Sequence, residues 1–220
     1  MLLGTNLLRI YDIFHPLVPL FFLYLNFEAL LIETTQTLIG SLFVPVFIVQ
    51  ILRFVVFVNL DKIHVLYECF VNRYIFLSYV KDIGISCLYF VFSCILVDIF
   101  IILYGAPVVS CLLETILSCL HLSVLGILPM ICVFGVDIER YMELVSLELD
   151  LRDFQNFKLS MGFFGTFVGS WMGAMPILLD WNRDWQKWPI PVVLGGYLGY
   201  ALSNFKKEEE LNSSCIYLKR

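Results

Sequence analysis

SMGFFGTFVGSWMGAMPILLDWNRDWQKWPIPVVLGGYLGYALSNF, residues 160–205, sets two apolar stretches on either side of a short polar connection. The stretches at 160–179 and 188–205 each come close to the ~20 residues an α-helix needs to cross hydrocarbon. Between them lie Trp181, Trp185 and Trp188, together with Asp180, Arg183, Asp184 and Lys187. Tryptophan favours the boundary of headgroup and hydrocarbon, where its ring is buried and its N–H stays wet. A connection this short, carrying three such rings, is expected to lie pinned against one membrane surface. The pattern is that of a transmembrane helical hairpin with a fixed polar and aromatic face at its tip.

The rest of the chain repeats that pattern. Of its 220 residues, 60% are hydrophobic and only 15% charged, with a mean hydropathy of +0.87, which lies outside the range of soluble domains. The reading is all-α: a single integral membrane domain over 1–220, a polytopic transmembrane helical bundle of about six spans. The spans are expected near 13–32, 37–58, 83–103, 108–133, 160–179 and 188–205. Of the 14 lysines and arginines, Arg53 lies inside the second span and Arg183 and Lys187 fall in the tryptophan loop. All the others fall on the side of the two termini. Cationic loops stay in the cytosol, so both termini are expected there and the tryptophan loop outside it. The sixth span is short, roughly 27 Å for about 18 residues, near the lower limit for a thin bilayer.

Two connections carry helical periodicity. Ile63, Leu66, Tyr67, Phe70, Val71 and Tyr74 recur at three- and four-residue spacing, as do Ile138, Tyr141, Met142, Val145 and Leu149. Short amphipathic helices are expected in 63–75 and 137–150, on the cytosolic leaflet or against protein. Pro45 and Pro129 are expected to kink their spans.

Ionisable groups inside the spans are costly and draw attention for that reason. Asp98 lies near the end of the third span and Glu114 near the start of the fourth. The tight Tyr-Gly-Ala-Pro junction between them, shaped by Gly105 and Pro107, puts both carboxyls at a similar depth of roughly 10 Å. His121 follows Glu114 on the same helical face, about two turns deeper. The three form a candidate intramembrane polar cluster, lining a vestibule or fixing helices, and Glu28 could join it. Gly165, Gly169 and Gly173 recur every four residues in the fifth span, and Gly195 and Gly199 do so in the sixth. Such stripes let helix backbones approach closely, either within the chain or with a partner helix.

Several chemistries find no support in the sequence. The three histidines, His15, His64 and His121, lie at different expected depths, and no metal-ligand spacing, Ser/His/Asp order or phosphate-binding glycine loop is visible. No metal or cofactor is expected, and no basic stripe suggests nucleic acid. The seven cysteines read as small packing residues. With no charged region or small-residue cleavage site at its start, and Leu2 in second place, the sequence leads us to expect neither a removable signal peptide nor N-myristoylation.

The stretch Met175–Gly199 (MPILLDWNRDWQKWPIPVVLGGYLG) closely resembles the PIG-F family of glycosylphosphatidylinositol (GPI) anchor biosynthesis. The segment from Tyr104 to Thr115, YGAPVVSCLLET, is similar to that family's junction of third and fourth spans. The resemblance implies a non-catalytic accessory subunit of the endoplasmic reticulum membrane. Its expected role is to stabilise and position ethanolamine phosphate transferases of the PIG-O and PIG-G type, acting on GPI mannoses at the lumenal face. Contact with membrane lipid or GPI intermediates is also implied. The lumenal loop, with Asp180, Trp181, Arg183, Asp184, Trp185 and Trp188, is the expected contact. Two other readings stay open: an intramembrane lipid or glycan transferase using Asp98, Glu114 and His121, and a lipid transporter.

Overall fold

The structure is a computed structural model and describes residues 14–52, 73–107, 109–145 and 154–205. Among the described residues these helices follow one another: α1 (Leu17–Leu25), α2 (Phe27–Ile32), α3 (Thr34–Leu52), α4 (Arg73–Leu103), α5 (Leu112–Phe134), α6 (Ile138–Val145), α7 (Phe154–Ala174, extended by a 3₁₀ turn at Met175–Leu178) and α8 (Ile190–Asn204), with a short 3₁₀ turn at Asp184–Gln186 between the last two. No strand occurs among the described residues. Four of the helices contain stretches long and apolar enough to cross a membrane: Thr34–Leu52, Val80–Leu103, Leu112–Phe134 and Asn156–Leu178. They correspond to the second to fifth expected spans.

The places of the first and sixth are taken by shorter elements. The expected continuous helix at 13–32 is broken at Asn26, whose backbone N–H and side-chain amide both donate to the Phe22 carbonyl, at 3.1 and 2.8 Å. An asparagine that serves its own backbone in this way ends a helix. α8 has 15 residues and starts after Pro189, with Pro191 in its first turn, where a missing N–H costs no helical bond. The amphipathic segment 63–75 lies outside the described residues except for its last three, which form the start of α4. Of 137–150, Ile138–Val145 is helical, and 146–150 lie outside the described residues.

α8 sits at the centre. Its Ile190, Val193, Tyr197 and Tyr200 are almost fully buried against Leu23 and Leu30 of α1 and α2, Leu38, Leu42 and Val46 of α3, and Leu117, Val124 and Leu125 of α5. On its remaining side α8 meets α7 along the glycine stripe, backbone on backbone. A Cβ added at Gly169 would strike the Gly195 carbonyl, one at Gly173 the Pro191 carbonyl, and one at Gly199 the Gly165 carbonyl. All five glycines singled out by their spacing lie in this one seam. In lipid, where apolar surface gains nothing by burial, such close approach is what holds helices together.

Ahead of each proline expected to kink its span, the helix widens. α3 is π-helical over Thr37–Phe43 and α5 over Ser123–Ile127, just ahead of Pro45 and Pro129. A proline ring collides with the carbonyl four residues earlier. Here those carbonyls belong to Ser41 and Leu125, both inside the widened segments.

α5 and α4 are opposites in burial: two thirds of the α5 span is buried, 67%, against 6% for α4. α4 lies at the edge of the bundle, with α5 as its main neighbour. α6 folds back at the opposite end from the tryptophan loop, packing Leu144 with Met130, Phe134 and Leu159. Its Tyr141 hydroxyl donates to Gly135 O at 3.0 Å, and burial raises that phenol's pKa, so it stays a donor.

Candidate functional site

The connection between α7 and α8 is a built loop. Gln186 is buried, and its amide N–H groups donate to Pro176 O (2.7 Å) and Leu179 O (2.9 Å), while its side-chain oxygen accepts the Arg183 backbone N–H (2.8 Å). One side chain thus ties both ends of the loop to its middle. Asn182 turns the chain with a φ of 48°, a left-handed conformation that asparagine tolerates. Around this frame Trp181 is exposed and meets the half-buried Trp185 edge to face, with ring centroids 6.2 Å apart. Asp180, Arg183, Asp184 and Lys187 all face outward. Lys187 bridges Asp184 at 2.8 Å and holds that carboxyl below its ordinary pKa.

Trp188 points the other way, into the bundle. Its indole N–H donates to the hydroxyl of the fully buried Thr115 at 2.9 Å. That hydroxyl hydrogen in turn reaches Cys111 O (2.9 Å) and Pro107 O (3.2 Å). The neighbouring Glu114 accepts from the Thr35 hydroxyl at 3.0 Å. The start of α5 therefore clamps the tryptophan loop, the α4–α5 junction and the start of α3 together at one end of the bundle.

The junction itself closes α4 with a Schellman motif: Ala106 N–H bonds Ile101 O (3.2 Å) and Gly105 N–H bonds Ile102 O (2.9 Å). Gly105 has a φ of 100°, a conformation that side chains resist. Pro107 supplies the carbonyl that Thr115 meets.

The three intramembrane groups do not bond one another. Asp98 accepts from the Cys119 thiol at 3.3 Å, across α4 and α5. Glu114 is engaged with α3. His121 is fully buried, with Nε2 3.0 Å from Leu38 O and Nδ1 2.8 Å from the Tyr197 hydroxyl. A carbonyl only accepts, so Nε2 carries the hydrogen and Nδ1 accepts from tyrosine. The imidazole has no valence left for a substrate and pins α3, α5 and α8 together. Glu28 is exposed on α2. Among the described residues, no three His, Cys, Asp or Glu side chains gather as a metal site.

The partners that organise this end, Gln186, Thr115 and Thr35, and the Tyr197 that meets His121 deeper in the bundle, were not singled out by the sequence. Gln186 left one trace, as one of the two amides, with Asn182, in a connection rich in tryptophan, charge and proline.

The fold and this end of it define a class: a helical membrane protein with a built aromatic and charged face, in which no metal-ligand cluster is assembled among the described residues. The sequence matches the GPI biosynthesis protein family Pig-F over residues 14–207, and the chain belongs to that family. It is 33% identical over 202 residues to a mouse protein named "GPI ethanolamine phosphate transferase, stabilizing subunit", covering 91% of this chain and 86% of that one. A human protein of the same name is 37% identical over 115 residues, 52% of each chain, so this match spans about half of the human relative. Glycosylphosphatidylinositol anchor biosynthesis protein 11 of Yarrowia lipolytica is 32% identical over 110 residues, 50% of this chain and 47% of that protein. No solved structure is significantly similar to the chain.

Proposed function

We propose that this chain is the non-catalytic membrane subunit that stabilises and positions an ethanolamine phosphate transferase of GPI-anchor biosynthesis. The observation that carries the reading is the match to the mouse stabilizing subunit along nine tenths of the chain. The geometry agrees with it. A loop locked by Gln186 and Trp188 presents Trp181, Trp185 and four charges outward, which suits recognition of a protein surface. The groups that would serve chemistry, Asp98, Glu114 and His121, are separately engaged in joining helices.

In this reading α1–α2 and α8 also cross the bilayer, giving six spans with both termini in the cytosol. The tryptophan loop then faces the lumen of the endoplasmic reticulum, where the partner's transferase domain works. Partners of the PIG-O and PIG-G type fit this arrangement, and GPI intermediates or membrane lipid pass close to the same face.

The test is co-purification of the tagged chain from endoplasmic reticulum membranes, followed by mass identification of what it carries. A transferase subunit is expected, lost when Trp181 and Trp185 are both changed to alanine. The purified chain alone, given GPI intermediates and phosphatidylethanolamine, should show no turnover. Turnover without a partner would favour the intramembrane enzyme.

A further inference from the structure

α4 is long, apolar and nearly bare, yet it carries a carboxyl group within its membrane-crossing stretch. Asp98 lies five residues from the end of the helix, roughly 8 Å along its axis. Its Oδ1 accepts from Cys119, and a thiol is a weak donor. Its Oδ2 meets no donor among the described residues, and the group is only half-buried. Carboxyls inside hydrocarbon face a bundle interior or pair with an opposite charge, because lipid tails offer no donor. Val91 and Ile95, seven and three residues before Asp98, share its side of α4 by helical spacing and are 56% and 52% exposed. Asp98 therefore sits at the border between the face of α4 packed on α5, with Cys94 and Val97, and the open face.

We infer that in the assembled transferase α4 is covered by a transmembrane helix of the catalytic subunit, and that this helix brings a lysine or arginine to Asp98. The inference rests on the stabilising-subunit reading and adds to it a second contact, inside the bilayer, distinct from the lumenal loop. Charge complementarity supports it: the described residues supply a thiol where a carboxylate calls for a cation, and the exposed side chains of Val91 and Ile95 lie beside it. The outer face of α7 and α8 is also apolar and grooved, but it offers no such group.

The experiment uses the full chain co-expressed with its transferase subunit. Asp98→Asn keeps size and removes the charge, and should lower recovery of the transferase about ten-fold or more. Asp98→Glu should retain it. Cys119→Ala removes only the internal partner and should also retain it. A photo-crosslinking residue at Ile95, with Asp98 intact, should capture the catalytic subunit, and the same residue at Val168 or Leu198 should not. Full recovery with Asp98→Asn would overturn the inference. So would capture from Val168 or Leu198 in place of Ile95, or loss with Cys119→Ala equal to that with Asp98→Asn. If the unaltered chain carries no transferase at all, the functional reading falls first and this inference with it.

Discussion

Gln186 shows how much of the loop rests on one amide. Gln186→Leu keeps the volume but strands two carbonyls and a backbone N–H at the foot of the loop. We expect it to lower stability by about 1–3 kcal/mol, read as a lower melting temperature in detergent. Trp181–Trp185 contact should be lost as well, seen as changed tryptophan fluorescence. Gly105→Ala should cost about 1–2 kcal/mol through its left-handed backbone alone, although open space surrounds the site. The Asp184–Lys187 pair has the usual sign for a depressed carboxyl. Its contribution is present above the normal aspartate range and is lost only as pH falls through the lowered value. Transferase recovery should therefore not change between pH 8 and 6 through this pair, as co-purification across that range will show. At this scale the sequence singled out the tryptophans and charges of the loop, and not Gln186, which ties the loop together. Tryptophans and charges are conspicuous by type, but Trp188 was grouped with the outward-facing rings and turns inward because Thr115, far away in the chain, offers it an acceptor.

At the scale of elements, the glycines of α7 and α8 were legible because a four-residue period survives folding: residues so spaced must share a face. Which helix that face would meet was not legible, and the structure resolves it in favour of the chain's own α8. The contrast between Gly84 and Gly169 puts this to the test. Nothing lies within 4 Å of a Cβ added at Gly84, whereas one at Gly169 meets the Gly195 carbonyl and lies 2.9 Å from the Gly199 Cα. Gly84→Ala should leave the melting temperature of the isolated chain unchanged or slightly higher. Gly169→Ala should lower it by several degrees, and Gly169→Leu should prevent recovery of a monodisperse protein. Span positions in the middle of the chain followed from hydropathy. The break at Asn26 did not, since one asparagine scarcely alters a twenty-residue average, and helix interruption is decided by a local hydrogen bond.

For the molecule as a whole, the order of burial was hidden from the sequence. α4 is the most apolar span and lies outermost, while α8, short and rich in glycine and tyrosine, lies at the centre. Hydropathy measures preference for lipid over water, and does not distinguish a helix facing lipid from one facing its neighbours. The proposed lumenal display of the loop, an expectation from charge bias, is open to a direct check. A cysteine placed at Asn182 should react with a membrane-impermeant reagent in inverted endoplasmic reticulum vesicles, where the lumenal face is outward, and not in sealed right-side-out ones. His121→Phe, which keeps the ring and removes both hydrogen bonds, should loosen α3 and α8 from α5 together, seen as one coordinated gain in proteolysis at their ends.

The central place of α8 bears on how the molecule comes into being. Ribosomes deliver it after the described helices it touches, so during synthesis those helices surround a gap, and the imidazole on α5 waits in the bilayer without its tyrosine. The bundle can close only once nearly all of it has been made. Until then the nascent chain offers polar atoms and glycine backbone to whatever insertase or chaperone is near. A lesion that shortens or delays that late segment would mark the whole protein for disposal rather than leave a partly working one.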